Sequence, residues 1–501
     1  MRCRVAMLTL ACALSAWSGV EAIAAITPCE PRPCAGRPCP ALPPGFAGLP
    51  CAASAQLSIE IENRSNSHVT AMVEGELQDA TATCASGDMA AYPSSLVSCD
   101  AGSTCNLTIA SLRPGTWIHR LKVQVDGSDP QQQSQRRVVA AAPRGMPVNL
   151  VHWVVYPRTF VSPVKGGELR DRLDQATAFL AAGSAAGALV TFDWGDFAGA
   201  CDPQPILFGK SRSCPMTACG PADAAYCWTG SGLVLDALDR NAESGAIVLS
   251  EADPGNDDLL RISGHGNVIR GINLSGNRNA TVQADTIAFD DAASGNRIED
   301  VLVEGAGQGD GVSAQCNSHD NLVLRADIQQ ANDKGVKVTD GAQLLVADSC
   351  ISANDNGGIQ ATRGGGVTAW RNLVQLNLPG ANAGDAAQNG IWARGWPLFG
   401  PAGIKTPSSV RTDANIVRFN GAQGLAATDD AVARFQNDYV AHNQYAGARI
   451  LSTAPCDVVG PDARFDGVAF VCNAATTPDG GPQLSGACSA SRLPCRIGSS
   501  I

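Results

Sequence analysis

The stretch Gly358-Ile359-Gln360-Ala361 decides the fold, because it recurs with small changes along the second half of the chain. Each copy is a glycine followed by an apolar residue, a variable residue, and an apolar or small residue. Successive copies are separated by 24, 23, 32, 34 and 23 residues and begin at Gly311, Gly335, Gly358, Gly390, Gly424 and Gly447. A repeat of this length, with the alternation of a β-strand, is typical of a solenoid whose parallel strands stack from coil to coil.

Asparagines form a second landmark in the same region. Their steps are 22, 23, 43 and 23 residues, and they are Asn332, Asn354, Asn377, Asn420 and Asn443. Because asparagine readily adopts left-handed turn conformations and its amide can bond to copies above and below, we expect an asparagine ladder at a tight turn. The long step is either two coils or one coil lengthened by an insertion.

This region resembles the right-handed parallel β-helix repeats of the pectin-lyase-like superfamily. The resemblance covers about 290 of the 501 residues and lies in Gly266-Asn267-Val268-Ile269-Arg270-Gly271, Gly295-Asn296-Arg297-Ile298-Glu299-Asp300 and Asn354-Asp355-Asn356-Gly357-Gly358-Ile359. It implies the fold but no single function, because the superfamily includes lyases, hydrolases, epimerases, adhesins and proteins of no known activity.

The rest of the chain has other patterns. Short alternating strands such as Leu57-Ser58-Ile59-Glu60-Ile61 precede a segment with helical spacing of apolar residues. We predict an all-β protein in which a small immunoglobulin- or fibronectin-like sandwich precedes a right-handed parallel β-helix. The predicted segments are a signal peptide at 1–24, a linker rich in proline and cysteine at 25–52, the sandwich at 53–157, the β-helix at 158–455 with a capping helix at 166–182, and a cysteine-containing cap or tail at 456–501.

The N-terminus has the features of a secretory signal peptide. Arg2 and Arg4 precede a mostly apolar run, and Ala22-Ile23-Ala24 offers a small-x-small cleavage site. Acylation at Cys12, as in a lipoprotein, is the alternative. The 19 cysteines favour disulfides in an oxidising compartment over zinc sites. We expect a protein that is secreted, periplasmic or attached to the cell surface.

The net charge of −11 argues against nucleic acid as a partner. It also disfavours acidic polysaccharides, unless a local basic groove or a bound cation reverses the field. No run after the signal peptide is apolar for long enough to span a bilayer. We expect a monomer without a transmembrane segment, and we expect any partner to be a polysaccharide or a cell-envelope glycan.

Stacked coils would align the variable residues of the glycine repeat in one outward strip, formed by Ser313, Lys337, Gln360, Trp392, Ala426 and Arg449. A polysaccharide lyase needs a base and a group that neutralises a uronate carboxylate. Lys337 together with Arg363 or Arg394 could supply the base and the neutralising group. Asp310 and Asp333 lie near these residues in the sequence. Only in that alternative do we expect Ca²⁺, bound by aspartates. Otherwise the sequence predicts no cofactor and no metal site.

One irregular coil carries a cluster of aromatic residues. Extra residues at 378–389 and 395–410 flank the fourth copy of the repeat, and the cluster consists of Trp392, Trp396 and Phe399. Exposed aromatic rings stack on sugar rings, and loops on a rigid scaffold commonly carry function. We predict that these residues bind a glycan; the alternative is that they pack the insertion onto the coil.

The tripeptide Gly264-His265-Gly266 is similar to one in polygalacturonase-like hydrolases, which also carry three upstream aspartates. Here Asp257-Asp258 precedes His265 by only seven residues, and Asp290-Asp291 lies downstream of it instead of upstream. We therefore predict that His265 is a turn residue. The leading hypothesis is an exported or cell-surface β-helix protein that binds glycans without catalytic activity. The alternatives are a lyase or glycosidase acting on an acidic polysaccharide, and a purely structural envelope module.

Overall fold

The fold is given by a computed structural model of the chain. It describes residues 55–80, 91–112, 115–126, 128–139, 149–162, 168–183, 187–192, 205–208, 212–215, 223–237, 248–251, 257–276, 284–290, 293–378, 389–395, 407–429, 431–445, 447–451, 462–471 and 484–486. The predicted signal peptide and linker, together with Trp396 and Phe399, lie outside these residues. No helix in the described part of the chain is long and apolar enough to cross a membrane.

Seven strands form a sandwich ahead of the solenoid. They are β1 (Ala55–Asn63), β2 (Val69–Ala80), β3 (Ala91–Cys99), β4 (Thr104–Leu112), β5 (Gly115–Val123), β6 (Gln131–Val139) and β7 (Asn149–Val155). One sheet has the order β4-β1-β7 and the other the order β3-β2-β5-β6. Alternate residues of β1, such as Leu57 and Ile59, join Trp117 and Trp153 in one core between the sheets. The predicted sandwich is confirmed, with one parallel edge strand, because β7 pairs in parallel with β1.

A helix, α1 (Glu168–Ala181), follows the sandwich. Its apolar face buries Leu169, Leu173 and Ala176 completely in the core of the first coils. Phe179 packs edge-on against Phe160, with ring centroids 6.1 Å apart. The helix therefore covers apolar residues at the first coil, where unpaired strands would otherwise be open.

Three sheets form the solenoid. Sheet A contains β10 (Pro205–Phe208), β14 (Val248–Glu251), β17 (Asn273–Ser275), β20 (Leu302–Glu304), β23 (Asp327–Gln329), β26 (Cys350–Ser352), β29 (Leu373–Gln375), β32 (Ile416–Arg418), β35 (Tyr439–Ala441) and β38 (Ala469–Val471). Sheet B contains β11 (Arg212–Ser213), β12 (Asp223–Trp228), β15 (Asp258–Ile262), β18 (Ile287–Phe289), β21 (Val312–Ala314), β24 (Val336–Val338), β27 (Ile359–Thr362), β30 (Ile391–Arg394), β33 (Leu425–Thr428), β36 (Ala448–Leu451) and β39 (Leu484–Gly486). Sheet C contains β8 (Thr159–Ser162), β9 (Ala188–Phe192), β13 (Leu233–Asp236), β16 (Val268–Arg270), β19 (Arg297–Glu299), β22 (Asn321–Leu324), β25 (Gln343–Ala347), β28 (Gly366–Trp370), β31 (Ser409–Asp413), β34 (Val432–Gln436) and β37 (Asp462–Asp466).

Each coil adds one strand to sheet C, then one to sheet A, then one to sheet B. Neighbouring strands pair in parallel throughout, except β11 with β12, which are antiparallel. The inward residues form one continuous apolar core along the rod. The predicted parallel β-helix is thus confirmed.

The repeated glycines lie where neighbouring coils come closest on sheet B. A Cβ atom at Gly358 would lie 2.4 Å from Val374 Cγ1 and 2.5 Å from the carbonyl oxygen of Gly390. A Cβ atom at Gly390 would likewise lie 2.6 Å from the carbonyl oxygen of Gly424. Because these neighbours are backbone and core atoms, a side chain is excluded, and this explains the recurrence in the sequence.

Asparagine side chains connect successive coils, with one correction to the predicted set. The ladder contains Asn354, Asn377, Asn420 and Asn443. Each Oδ1 in the later coil accepts hydrogen bonds from the backbone N–H and from Nδ2 of the asparagine one coil earlier. Asn332 lies one residue out of register, because the N–H bonded to Asn354 is that of Ala331. The step of 43 residues is a single lengthened coil, since Asn377 bonds directly to Asn420.

The coils extend past the predicted end at residue 455. Strands β37, β38 and β39 continue sheets C, A and B in register. The predicted boundary is therefore too early. The repeated glycine is absent from this coil. Leu484 pairs with Ala448, and the residue before Leu484 is a glutamine, whereas earlier copies have a glycine there.

Arg270 joins the sandwich to the solenoid. Its guanidinium donates to Oε1 of Gln133 on β6 at 3.1 Å and pairs with Asp236 on β13 at 2.6 Å. It also lies 5.9 Å from the ring centroid of Trp153. A charge this deeply buried is stable only with such partners, so the contact fixes the sandwich against the first coils.

Disulfides are present in the described residues, as predicted. Cys99–Cys105 links β3 to β4, and Cys214–Cys227 closes the loop between β11 and β12, the first two strands of sheet B. Cys316 and Cys350 are also disulfide-bonded.

Candidate functional site

The pairing register of sheet B aligns the variable residues of the repeat in one column. Ser313 pairs with Lys337, Lys337 with Gln360, and Gln360 with Trp392. The column continues through Ala426 to Arg449. The column is less exposed to solvent than predicted, because all these residues except Lys337 and Arg449 are buried. The long side chains lie about one strand spacing, ~4.8 Å, from the short ones and help to cover them.

A column of three aspartates runs beside this strip, at the start of β15 and just before β18 and β21. Oδ1 of Asp258 accepts a hydrogen bond from the N–H of Asp285 at 2.8 Å, and Oδ1 of Asp285 accepts one from the N–H of Asp310 at 2.7 Å. Oδ1 of Asp310 accepts one from the N–H of Lys334 at 3.0 Å. All three carboxyl groups are buried.

Lys337 closes this column toward the surface. Its Nζ lies 3.2 Å from Oδ2 of Asp310 and 3.6 Å from Oδ2 of Asp333. Lys334 pairs with Asp333 as well. The side chains of Lys337, Asp333 and Lys334 keep 15%, 17% and 13% of their surface exposed, whereas that of Asp310 keeps none. A ligand would therefore meet Lys337 and Asp333 first, with Asp310 behind them.

The pKa shifts distinguish the buried aspartates from Lys337. Burial raises the pKa of Asp310 and that of Asp285, because the charged carboxylate loses its hydration, and repulsion between neighbouring carboxylates adds to the effect. The carboxylate of Asp310 raises the pKa of Lys337. Lys337 is thus a cation at neutral pH, which suits a clamp for an anionic or hydroxyl group and not the base of a lyase.

Arg261 extends the cluster toward the first coils. Its guanidinium pairs with Asp258 at 3.0 Å and with Asp290 at 2.5 Å. Burial raises the pKa of Asp258 to about 6. Arg261 belongs to the same outward column, because it pairs with Ala288 and Ala288 pairs with Ser313. Asp258 was considered only in relation to His265, and Arg261 and Asp285 were not predicted as site residues, because the glycine repeat begins only at residue 311.

The three predicted cations do not form one cluster. Arg363 pairs with Asp340 at 2.8 Å and donates to Oγ1 of Thr339 at 3.0 Å, so its partners differ from those of Lys337. Arg394 is exposed, and its guanidinium lies 5.6 Å from the ring centroid of Trp392. Of these three cations, Lys337 is the one that contacts the predicted carboxylates Asp310 and Asp333.

Trp392 is buried in the strip, with 8% of its surface exposed. Its Nε1 donates to Oγ1 of Thr428 at 3.4 Å. A ring held in this way offers little face to a sugar, so a stacking role would need the covering side chains to move. Trp396 and Phe399, the other residues of the predicted aromatic cluster, lie outside the described residues.

His265 occupies the turn between β15 and β16, and its Nδ1 lies 2.9 Å from Oγ of Ser294 one coil away. Asp290, which follows it in the sequence, is held by Arg261. No group of three or more histidine, cysteine, aspartate or glutamate side chains in the described ranges could hold a metal ion.

The aspartates are not required by the geometry of the coil. Later coils carry Lys334, Gly357, Asn389 and Gln423 at the same position, and each supplies the same backbone carbonyl to the preceding coil. Neutral or small residues therefore fit there. Three stacked carboxyl groups instead impose desolvation and mutual repulsion, a pattern that is concentrated at functional sites.

No protein-family model matches this sequence. No curated protein matches it either. Solved structures of similar fold include pectate lyase Pel9A, at 11% identity and a TM-score of 0.42 over 67% of this chain and 82% of that one. The A-module of mannuronan C-5 epimerase AlgE4 from Azotobacter vinelandii shows 14% identity and a TM-score of 0.41 over 63% and 90%. The Agl-KA catalytic domain shows 11% identity and a TM-score of 0.39 over 87% of each chain. Likeness at this level assigns no function to the chain.

Proposed function

We propose that this protein is exported and binds a polysaccharide over sheet B, with Lys337 and Asp333 as its contacts. Lys337 donates from a fixed ammonium group and Asp333 accepts, and this pairing suits the hydroxyl and carboxylate groups of sugars. Disulfides within the described residues support an oxidising compartment. The predicted signal peptide supports the same route.

The observation that carries the proposal is the buried aspartate column beneath Lys337. The Oδ1 atoms of the three aspartates accept hydrogen bonds between coils, but Asn389 supplies the same bond in a later coil, so a structural role does not require carboxyl groups. Held behind Lys337, the column fixes the position and charge of the ammonium group. A positioned charge of this kind recognises a ligand at small entropic cost.

Affinity electrophoresis of the full chain through gels containing different polysaccharides tests this proposal. We expect one polysaccharide to retard the wild type, and Lys337→Ala and Asp333→Asn to weaken that binding by about tenfold. Lys122→Ala is the matched control, because Lys122 forms a comparable ion pair with Glu74 in the sandwich, at 3.0 Å. Wild-type mobility that no polysaccharide changes would favour the structural envelope module.

A second candidate function is cleavage of the bound polysaccharide. The raised pKa of Asp310 favours it, because a carboxyl group that keeps its proton near neutral pH can serve as a general acid. Asp333, more exposed and beside it, would then be the second carboxylate of a glycosidase pair.

Incubation with a panel of polysaccharides, with and without Ca²⁺, separates cleavage from binding. New reducing ends that are lost in Asp310→Asn would show hydrolysis, and absorbance of an unsaturated product would show a lyase. Binding without either product would support the non-catalytic function.

A further inference from the structure

The outward face of sheet C carries a groove, with a volume of about 720 Å³, that is separate from the site on sheet B. Its floor is a column in strict register in which Arg297 pairs with Leu322, Leu322 with Leu345, and Leu345 with Thr368. The column continues through Arg411 and Arg434 on the next two strands. The column therefore has arginine at both ends and an uncharged middle, and one carboxylate, that of Asp320, also lines the groove.

Two of these arginines are exposed at the surface. Arg411 and Arg434 are exposed on adjacent strands about 4.8 Å apart, and neither has an ion-pair partner among the described residues. Arg297, by contrast, pairs with Glu299 at 2.9 Å. Like charges opposite each other on a sheet are destabilising. Their presence side by side in a chain of net charge −11 points to an anionic occupant.

An exposed aromatic residue stands beside the column. Trp370 lies two residues beyond Thr368 on the same strand and face, and 41% of its surface is exposed. The guanidinium of Arg371, itself paired with Asp348, lies 3.7 Å from its ring centroid and fixes its orientation. A held, open ring of this kind can stack on a sugar.

We propose that this groove binds an acidic polysaccharide that runs along the solenoid axis across the strands. Arg411 and Arg434 contact consecutive acidic sugars, because one sugar ring spans about one strand spacing. Arg297 lies four strands from Arg411, at about 19 Å, and contacts the same chain further on. Leu322 and Leu345 lie beneath the apolar faces of the sugars between them, and Trp370 stacks at the side. This surface would anchor the protein to an acidic matrix independently of the site at Lys337.

Affinity electrophoresis of the full chain in gels containing polygalacturonate, heparin or dextran tests the proposal. We expect polygalacturonate to retard the wild type and dextran to leave it unchanged. The double variant Arg411→Glu/Arg434→Glu should bind polygalacturonate at least about tenfold more weakly. The control Arg158→Glu/Arg172→Glu, with the same change in net charge near the first coil, should bind like the wild type. Both double variants should keep the wild-type circular dichroism.

Other variants make the test independent of the site on sheet B. Lys337→Ala should retain polygalacturonate binding, and Trp370→Ala should weaken it. Retardation that survives the reversal at Arg411 and Arg434, or that is lost with Lys337, would overturn the proposal. Equal binding of single-stranded DNA through the same arginines would also overturn it, because the groove would then recognise charge and not sugar. Stronger binding of heparin than of polygalacturonate, with the same dependence on the variants, would assign sulfated sugars as the occupant class.

Discussion

Replacement of Asn377 by alanine tests the stacking of the coils. The side chain is buried and makes four hydrogen bonds: Oδ1 accepts from the N–H and from Nδ2 of Asn354, and Nδ2 donates to the carbonyl of Ile351 and to Oδ1 of Asn420. At about 1 kcal/mol net for each bond, we expect the free energy of unfolding to fall by about 4 kcal/mol. The partners are left buried without replacement, so the loss should not be smaller.

Chemical denaturation followed by far-UV circular dichroism measures this change, and hydrogen exchange at the amide of Asn354 reports it locally. The matched control is Asn106→Ala, because Asn106 is exposed on β4 of the sandwich and lies outside the ladder. We expect it to reduce the free energy of unfolding by about 1 kcal/mol or less. Equal losses in the two variants, or a loss below about 1 kcal/mol for Asn377→Ala, would refute the register described above.

Three further predictions concern the core, the pH dependence and the junction of the two domains. Gly358→Ala should lower the free energy of unfolding by about 2 to 3 kcal/mol in the same assay, because its Cβ would meet Val374 and the next coil. Burial raises the pKa of Asp327 from 3.8 to about 7, so the native state holds this proton more tightly than the unfolded state. Its contribution to stability is full below about pH 4 and is lost as pH rises through about 7, and Asp327→Asn should flatten the stability profile across that window. Arg270→Ala leaves Asp236 buried without its cation and should cost about 3 kcal/mol or more, seen in calorimetry as a separate transition of the sandwich.

The fold could be predicted from the sequence because its constraints are local and repeated. Gly358 and its equivalents must lack a side chain, and Asn377 and its equivalents must bond between coils, so both recur at the coil length. At the C-terminal end of the solenoid another residue occupies the position of the repeated glycine, and the prediction failed there. The coil that contains Leu484 was missed for this reason.

The candidate site was only partly predictable. The register places Lys337 beside Asp310 and Asp333, because Asp310 lies one coil earlier and Asp333 lies four residues before Lys337. Asp258 and Asp285 were missed, because their column is visible only when coils of unequal length are aligned in three dimensions. The burial of Trp392 also depends on neighbours in adjacent coils, which periodicity along the chain does not identify.

The most direct test is the free energy of unfolding of Lys337→Met, measured at about pH 5 and about pH 8. Lys337 lies over buried carboxyl groups whose pKa values are raised, so at the lower pH these groups hold protons and need the cation less. We predict that the loss of stability is clearly larger at the higher pH, while Lys122→Met in the sandwich shows little change between the two. A loss that is the same at both values, or no larger than that of Lys122→Met, would contradict the buried column on which the proposed function rests.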